Sequence, residues 1–136
     1  MSTVHVNAES FAGTVKNGIV ILDWWASWCG PCVAFAPIFE KAAEEHTDVV
    51  FGKINTDEEL ELSGAFGVQS IPTLMVFRDG ILLFNQPGML AAEDINELLS
   101  RVRKLDMEDV RRQIAEAKQA KESTGPQGAG DAGKAD

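Results

Sequence analysis

Cysteine is scarce in this chain, and several other features are missing altogether. Only two cysteines, Cys29 and Cys32, occur among the 136 residues. Positive charge is in deficit, because 12 lysines and arginines face 21 aspartates and glutamates and leave a formal net charge of −9. A negative protein repels nucleic acid and anionic membranes, so neither is an expected partner. No apolar stretch approaches the roughly 20 residues that a helix needs to span a bilayer.

The N-terminal residues also lack the basic start and apolar run of a secretory signal peptide. We therefore expect a cytoplasmic protein. In that reducing compartment, two cysteines three positions apart are more often redox-active or metal-binding than a structural crosslink. The length and the apolar fraction of 45% are sufficient for one ordinary hydrophobic core.

The spacing of apolar residues predicts alternating strands and helices up to about residue 103. A continuous β-branched and aromatic run at residues 19–25 is typical of a strand covered on both faces. Helical spacing follows Pro31 up to about His46, and Pro37 is expected to kink that helix. Residues 81–84 are expected to pair antiparallel with 73–77, and further strands are predicted at residues 4–6 and 49–55. The order β-α-β-α-β-α-β-β-α implies an α/β fold with a central mixed sheet flanked by helices on both faces.

Polar residues mark the predicted starts of further helices. Asn7 is expected to cap a helix over residues 8–16, and Thr56-Asp57-Glu58-Glu59 resembles a capping box that opens a short helix. After a globular domain over residues 1–103, an additional helix is predicted over 104–122, beginning at about Asp106. The composition of residues 123–136 predicts a disordered segment.

The two cysteines lie where a predicted buried strand passes into a helix. At a helix N-terminus the sulfur of Cys29 would face unpaired backbone N–H groups and the positive end of the helix dipole. Both favour the thiolate over the thiol, which makes Cys29 the expected nucleophile. Cys32 lies one turn later, close enough to form a disulfide with Cys29 yet less exposed, so we expect it to resolve mixed disulfides.

A zinc site is the alternative interpretation of the cysteine pair. Zinc normally takes four ligands, and the other soft ligands in the chain are His5 and His46, which are far apart in sequence. No second cysteine pair accompanies the first. We therefore expect no metal, and we interpret each histidine as a surface residue.

A longer set of motifs points to a family. Residues 23–32 read Asp-Trp-Trp-Ala-Ser-Trp-Cys-Gly-Pro-Cys, and they are followed by Ala36-Pro37, Ile71-Pro72-Thr73, Gly80 and Gly88. This pattern resembles the thioredoxin family from about residue 4 to residue 103. The match is specific, because the active-site string, the proline 40 residues after Cys32 and the order of strands and helices agree independently. The resemblance implies the thioredoxin fold.

The resemblance also implies which residues contact a client protein. Pro72 is expected to form a cis peptide bond with Ile71, whose backbone would pair with an extended client segment. The alternative is a trans proline that starts the strand. Gly88 is expected to let the client backbone approach, with a role as a turn residue as the alternative. The other implied client-binding residues are Trp28, Gly30 and Pro31.

Asp23 interrupts an otherwise apolar strand. By the resemblance it is a buried acid beneath Cys32, and burial should raise its pKa to suit a base that removes the proton from Cys32. The alternative is an acid at a strand end that is satisfied by backbone donors or by Lys53. The family has a lysine at the position of Lys53, so this residue is expected to tune the pKa of Asp23.

Two features depart from the family pattern. Val33 follows the second cysteine, where many thioredoxins carry lysine or arginine, so a charge that could stabilise the thiolate is missing. The extension from about Lys104 is not covered by the resemblance. Within it, Arg111-Arg112 could be a docking patch, but balanced charges on a solvated helix face are the commoner explanation.

The function implied by the resemblance is that of a protein-disulfide reductase, which acts by thiol–disulfide exchange and serves cellular redox balance. Such a protein needs no cofactor of its own, and thioredoxin reductase re-reduces its disulfide. The implied partners are that reductase and disulfide-containing clients, and a monomer is expected. Two alternatives stay open. One is an oxidase or isomerase on the same fold, which would require an oxidising compartment, and the other is a binding module in which redox turnover is incidental.

Overall fold

The structure, a computed structural model, describes the backbone of residues 2–135 and the side chains of residues 2–121. Contacts divide the chain into two units, Met1–Arg103 and Lys104–Asp136. The strands are β1 (Thr3–His5), β2 (Ile19–Trp25), β3 (Val49–Asn55), β4 (Thr73–Arg78) and β5 (Ile81–Pro87). The helices are α1 (Ala8–Val15), α2 (Gly30–Glu45), α3 (Leu60–Ala65), α4 (Ala92–Lys104) and α5 (Met107–Ala135).

The five strands form one mixed sheet in the order β1-β3-β2-β4-β5. β1 and β2 each pair in parallel with β3, whereas β4 pairs antiparallel with both β2 and β5. This arrangement confirms the predicted α/β fold and the predicted order of elements. It also explains the apolar run of β2, because this strand is central and its residues are covered on both faces.

Apolar side chains pack on both faces of the sheet, since successive residues of a strand point to opposite sides. On one face, Phe39 of α2 and Leu99 of α4 belong to a buried cluster with Ile21 of β2. On the other face, Phe66, which directly follows α3, packs on Trp24 of β2, with ring centroids 5.8 Å apart. The predicted helices on both faces are therefore present, and the odd-numbered residues of β2 face α2.

Two predicted turns and caps are confirmed by hydrogen bonds. The Asn7 side chain accepts from the N–H of Ser10 at 2.8 Å, and the Ser10 hydroxyl accepts from the N–H of Asn7 at 3.1 Å, which is a complete capping box. The predicted hairpin joins β4 to β5 through Asp79 and Gly80, both with positive φ. Type I′ hairpin turns favour such residues at these two positions.

The capping box predicted at residues 56–59 is wrong. Glu59 is the N-cap of α3, and its side chain makes no capping hydrogen bond. The side chain of Asn55, at the end of β3, instead accepts from the N–H groups of Asp57 and Glu58 at 2.9 and 3.3 Å. An Asx turn satisfies these donors before α3 begins, because the aspartate and asparagine side chains can reach their own backbone two residues ahead.

The second unit begins with an aspartate cap. Asp106 Oδ1 accepts from the N–H groups of Glu108 and Asp109 at 3.1 and 3.3 Å, so α5 starts directly after Asp106. Arg112 forms ion pairs with Asp109 and Glu116 on the same helix, as expected for balanced charges on a helix face. The predicted disordered segment 123–136 lies outside the residues whose side chains are described, and it stays a prediction.

The first testable prediction concerns Gly52 in β3. A Cβ atom at this position would lie 2.8 Å from Cδ2 of Leu22 and 2.9 Å from Cγ2 of Val6, and both side chains are buried. Because these buried neighbours would have to shift, we expect Gly52→Ala to lower the free energy of unfolding by about 1–3 kcal/mol. Urea denaturation of the oxidised protein measures this.

Gly13 in α1 provides the matched control, since nothing lies within 4 Å of an added Cβ there. Gly13→Ala should leave stability unchanged or raise it by up to about 1 kcal/mol, because alanine is the better helix former. Equal unfolding midpoints for the two alanine variants would show that a Cβ atom at position 52 fits against Leu22 and Val6 without loss of stability.

Candidate active site

The two cysteines lie at the start of α2, shortly after the carboxyl end of the central strand β2. Cys29 is the N-cap residue, and its sulfur accepts a hydrogen bond from the N–H of Cys32 at 3.2 Å. Gly30 and Pro31 form the beginning of the first turn, where proline is tolerated because its missing N–H would have no partner. The sulfur of Cys29 thus occupies the place of a capping oxygen, where N–H groups and the helix dipole favour negative charge.

A disulfide joins Cys29 and Cys32, whose Cα atoms are 5.2 Å apart, so the structure shows the oxidised protein. Cys29 is 5% exposed and Cys32 is 2% exposed. The order of exposure agrees with the sequence prediction, but the difference is small. Gly30 and Pro31, between the two cysteines, are exposed.

The loop before β4 lies against the reactive cysteine. The Ile71–Pro72 peptide bond is cis, as the resemblance implied, and the carbonyl oxygen of Ile71 lies 3.7 Å from Sγ of Cys29. The carbonyl oxygen of Pro72 accepts from the N–H of Gly88 at 2.8 Å. Gly88 has φ +98°, a conformation that favours glycine. The fold thus brings together predicted site residues from three distant parts of the sequence, namely Cys29, the pair Ile71 and Pro72, and Gly88.

Trp28 is a large exposed side chain next to the cysteine pair. It is 71% exposed, and its Nε1–H donates to Oδ2 of Asp57 at 2.8 Å. This role of Asp57 was not predicted from the sequence, where the residue was assigned to a capping box. Trp25 and Asn55 pair at the ends of β2 and β3, and this pairing brings the two following loops together. The contact between Trp28 and Asp57 depends on that strand register, which a local sequence pattern does not contain.

Asp23 is fully buried, two residues after Ile21 and therefore on the face of the sheet that α2 covers. Neither of its carboxyl oxygens has a hydrogen-bond partner among the described residues, which argues against an acid satisfied by backbone donors. Burial raises the pKa of Asp23 to about 7, because desolvation disfavours the charged form, and the charge of Lys53 lowers it in part. The carboxyl group is thus about half protonated near neutral pH.

Lys53 stands directly opposite Asp23 on the neighbouring strand β3. Its Nζ lies 4.8 Å from the centroid of the Trp25 ring, which is a cation–π distance. Trp24, by contrast, is fully buried in the other core and is a packing residue. Asp23, Lys53 and Trp25 therefore form a group on the α2 side of the sheet.

Two negative findings apply to the part of the chain that the structure describes. No three His, Cys, Asp or Glu side chains there are grouped to hold a metal ion, so the zinc alternative has no ligand set. His46 instead lies 2.6 Å from Oδ1 of Asn96 through Nε2 and 2.8 Å from a guanidinium nitrogen of Arg103 through Nδ1. Over the same residues, no helix has both the length and the apolar character to cross a membrane.

A helix-capping cysteine that closes a disulfide within its own first turn can exchange that disulfide with a thiol pair in another protein. This chemistry, on a mixed sheet with a cis-proline loop beside the sulfur, is that of the thiol–disulfide oxidoreductases. The family model for thioredoxin matches residues 2–101. The chain belongs to the thioredoxin family.

Similar proteins agree with that assignment. The protein numbered thioredoxin 2 in Streptomyces coelicolor is 48% identical over 116 residues, which cover 85% of this chain and 87% of that protein. The thioredoxin of Bacillus subtilis is 38% identical over 102 residues, which cover 74% of this chain and 98% of that protein. An asparagine-to-glutamine variant of thioredoxin from Halobacterium salinarum has a TM-score of 0.71 and 30% identity, and the match covers 77% of this chain and 95% of that structure.

The family membership confirms the resemblance, the fold and the general reaction predicted from the sequence. Thioredoxins are protein-disulfide oxidoreductases with a redox-active cysteine pair, and this chain has that pair at disulfide distance. The family also implies two kinds of partner, a reductase and disulfide-bearing substrates.

The buried acid generates the second prediction, which concerns stability against pH. The pKa of Asp23 is about 7 in the folded protein and near 4 in an unfolded chain, so between these values the folded state binds more protons. Stability should therefore fall as pH rises from about 4 to above 7. In Asp23→Asn the desolvated charge is absent, and we expect this variant to be more stable than wild type at about pH 8 by on the order of 3 kcal/mol.

Urea unfolding of both oxidised proteins at pH values between about 4 and 8 measures the difference, which should shrink towards zero at the acid end. Glu44→Gln is the control, because Glu44 is an exposed carboxylate on α2. A constant stability gap between wild type and Asp23→Asn across the whole pH range would rule out a raised pKa as its cause.

Proposed function

We propose that the protein is a protein-disulfide reductase in which Cys29 attacks the client and Cys32 resolves the mixed disulfide. The observation that carries this proposal is the position of Cys29 as the N-cap of α2, where its sulfur accepts the N–H of Cys32. A thiolate at that atom is stabilised by the helix N-terminus. Cys32 lies inside the first turn and is almost fully buried, which supports the resolving role.

The reaction begins when the Cys29 thiolate attacks one sulfur of a client disulfide. A bond forms between Cys29 and that sulfur, the client S–S bond breaks, and the second client sulfur leaves as a thiolate. The Cys32 thiol then loses its proton and attacks the sulfur of Cys29. The Cys29–Cys32 disulfide forms, the bond between Cys29 and the client sulfur breaks, and that sulfur leaves as a thiolate. The client then has two reduced sulfurs, and two electrons have moved from the protein to the client.

Asp23 is the proposed acceptor of the proton from Cys32. A carboxyl group with a pKa of about 7 can take up and release a proton at neutral pH, whereas an ordinary aspartate remains ionised. Its place on the sheet face that α2 covers supports this role, since Cys32 lies on α2. Lys53 is the proposed tuning residue, because its charge lowers the pKa of Asp23 and so favours proton release.

The backbone of Ile71 is the proposed docking site for a client segment. Its carbonyl oxygen lies 3.7 Å from Sγ of Cys29, so an extended segment that pairs with this backbone brings its own cysteine to the attacking sulfur. The remaining client contacts are proposed on both sides of the bound client segment. Trp28, Gly30 and Pro31, which are exposed, are proposed on one side and Gly88 on the other. Recognition through main-chain atoms accepts many client sequences, because side chains contribute little to it.

Recycling of the disulfide is proposed to depend on thioredoxin reductase in the cytoplasm, with the protein acting as a monomer and without a cofactor of its own. The family supports the reductase as a partner. The cysteine content supports the compartment, since both cysteines of the chain are in the reactive pair and none is left for a structural crosslink.

Insulin reduction with thioredoxin reductase and NADPH provides the third prediction. Wild type should catalyse the reaction, and Cys29→Ser should show no measurable turnover, because the attacking sulfur is gone. Cys32→Ser should retain the attack but lose the resolving step. It should therefore accumulate covalent adducts with insulin or with cell proteins, visible on gels run without reductant.

Adduct formation by Cys29→Ser through Cys32 would overturn the assignment of the two roles. Absence of turnover by wild type with every reductase tried would overturn the reductase function. A reduction potential above about −200 mV would identify the protein as an oxidising catalyst instead, since reductants of this kind lie well below that value.

A further inference from the structure

Positive charge is missing from the chain segments that surround the reactive cysteines. Residues 17–40, 54–77 and 79–100 contain no lysine, arginine or histidine. The first segment includes Cys29, the second includes the Ile71–Pro72 loop, and the third includes Gly88. Lys41, the first basic residue after Cys29, is 12 positions further along α2, which corresponds to about 18 Å of helix.

Lys53 lies close to these segments in sequence, and its charge interacts with Trp25 and Asp23. Its Nζ lies over the ring of Trp25, and its field lowers the pKa of Asp23. Its ammonium group therefore lies beside Trp25 and acts on the buried acid of the site.

Acidic side chains occupy the loop that contacts the exposed tryptophan and the first turn of α3. Asp57 accepts the hydrogen bond from Trp28, Glu58 follows it in the loop, and Glu61 lies in the first turn of α3, both with exposed side chains. We call these three carboxylates the acidic rim. The side chain of Asn55 accepts from the N–H groups of Asp57 and Glu58 in an Asx turn, which holds the part of the rim that contacts Trp28.

Exposed apolar side chains accompany the acidic rim. Leu60 is 72% exposed and lies between Glu58 and Glu61 in sequence, and Val33 after the second cysteine is 58% exposed. The three segments thus contribute exposed apolar and negative side chains, and no basic one, to the surface on this side of the molecule. A partner of matching chemistry presents apolar and positive groups, and a negative partner is repelled.

We propose that the acidic rim selects clients that carry lysine or arginine beside the reactive cysteine and an apolar side chain against Trp28 and Leu60. This proposal rests on the proposed reductase function and names the preferred substrate class of the same site. Attraction between opposite charges acts mainly on the rate of association, and it weakens as salt screens the charges. The preference should therefore appear in second-order rate constants at low ionic strength.

Three short peptides, each with one internal disulfide and the same apolar residues, provide the fourth prediction. They differ only in the residues beside the cysteines, which are lysine, glutamate or glutamine. The reduced wild-type protein should reduce the lysine peptide at least about fivefold faster than the glutamate peptide at low salt, and the ratio should fall below about twofold at about 0.5 M salt. Rates with dithiothreitol correct each peptide for its own reactivity.

Charge reversal locates the preference on the molecule. Glu58→Lys/Glu61→Lys should abolish or invert the lysine-to-glutamate ratio. The control Glu44→Lys/Glu45→Lys changes the net charge equally at the far end of α2, and it should keep the wild-type ratio. Glu58→Gln/Glu61→Gln removes the two charges without reversing them, and it should at least halve the lysine-to-glutamate ratio. If the charge reversal impairs folding, this variant provides the test of the acidic rim.

Equal corrected rates for the lysine and glutamate peptides at low salt would overturn the proposal. So would an equal loss of preference in the Glu44/Glu45 control, because the effect would then follow net charge and not the acidic rim. The glutamine peptide separates this failure from failure of the reductase function. If wild type reduces that peptide but shows no charge preference, the reductase function stands and the substrate class is wrong, whereas failure to reduce any of the three peptides contradicts the function itself.

Discussion

The capping of α2 by the sulfur of Cys29 is the interaction on which the rest of the site depends. Within a helix, the backbone N–H groups of the first turn have no intrahelical partners, so a sulfur that caps this turn is in a position that favours the thiolate. The central strand β2 ends just before this turn and is paired on both sides, with β3 and β4. The sheet therefore fixes where α2 starts, and it fixes the position of the Ile71 carbonyl relative to the sulfur.

The buried carboxyl group of Asp23 lowers the stability of the folded protein when it is ionised. The carboxyl group of Asp23 lies in a buried strand and has no hydrogen-bond partner among the residues that the structure describes, so its charged form is unfavourable, and Lys53 offsets this only in part. Groups with strongly shifted pKa values in buried positions are common at active sites, since proton transfer at neutral pH needs a group that titrates there. The destabilising feature and the proposed catalytic feature are thus one residue.

Much of the fold was predictable because local patterns and the tertiary structure favour the same elements. The apolar run of β2, the turn residues Asp79 and Gly80 and the Asn7 cap each have a local physical cause, and each is present in the structure. The prediction failed at residues 56–59, because the two N–H groups that a capping box would use have backbone partners. The N–H of Thr56 donates to the carbonyl oxygen of Trp25, and the N–H of Glu59 donates to that of Asn55. The Asn55 side chain accepts from Asp57 and Glu58, and the carboxylate of Asp57 binds Trp28.

By itself the sequence determined the order of strands and helices, the cysteine pair at a helix start and the family, because these follow from short motifs and from the periodicity of apolar residues. Only the tertiary structure decided that Asp57 holds Trp28, that Asp23 has no hydrogen-bond partner within the described part of the chain and that Lys53 stands opposite it. These facts depend on the register of β2 against β3 and on what covers each face of the sheet. Such relations join residues about 30 positions apart, and no local pattern encodes them.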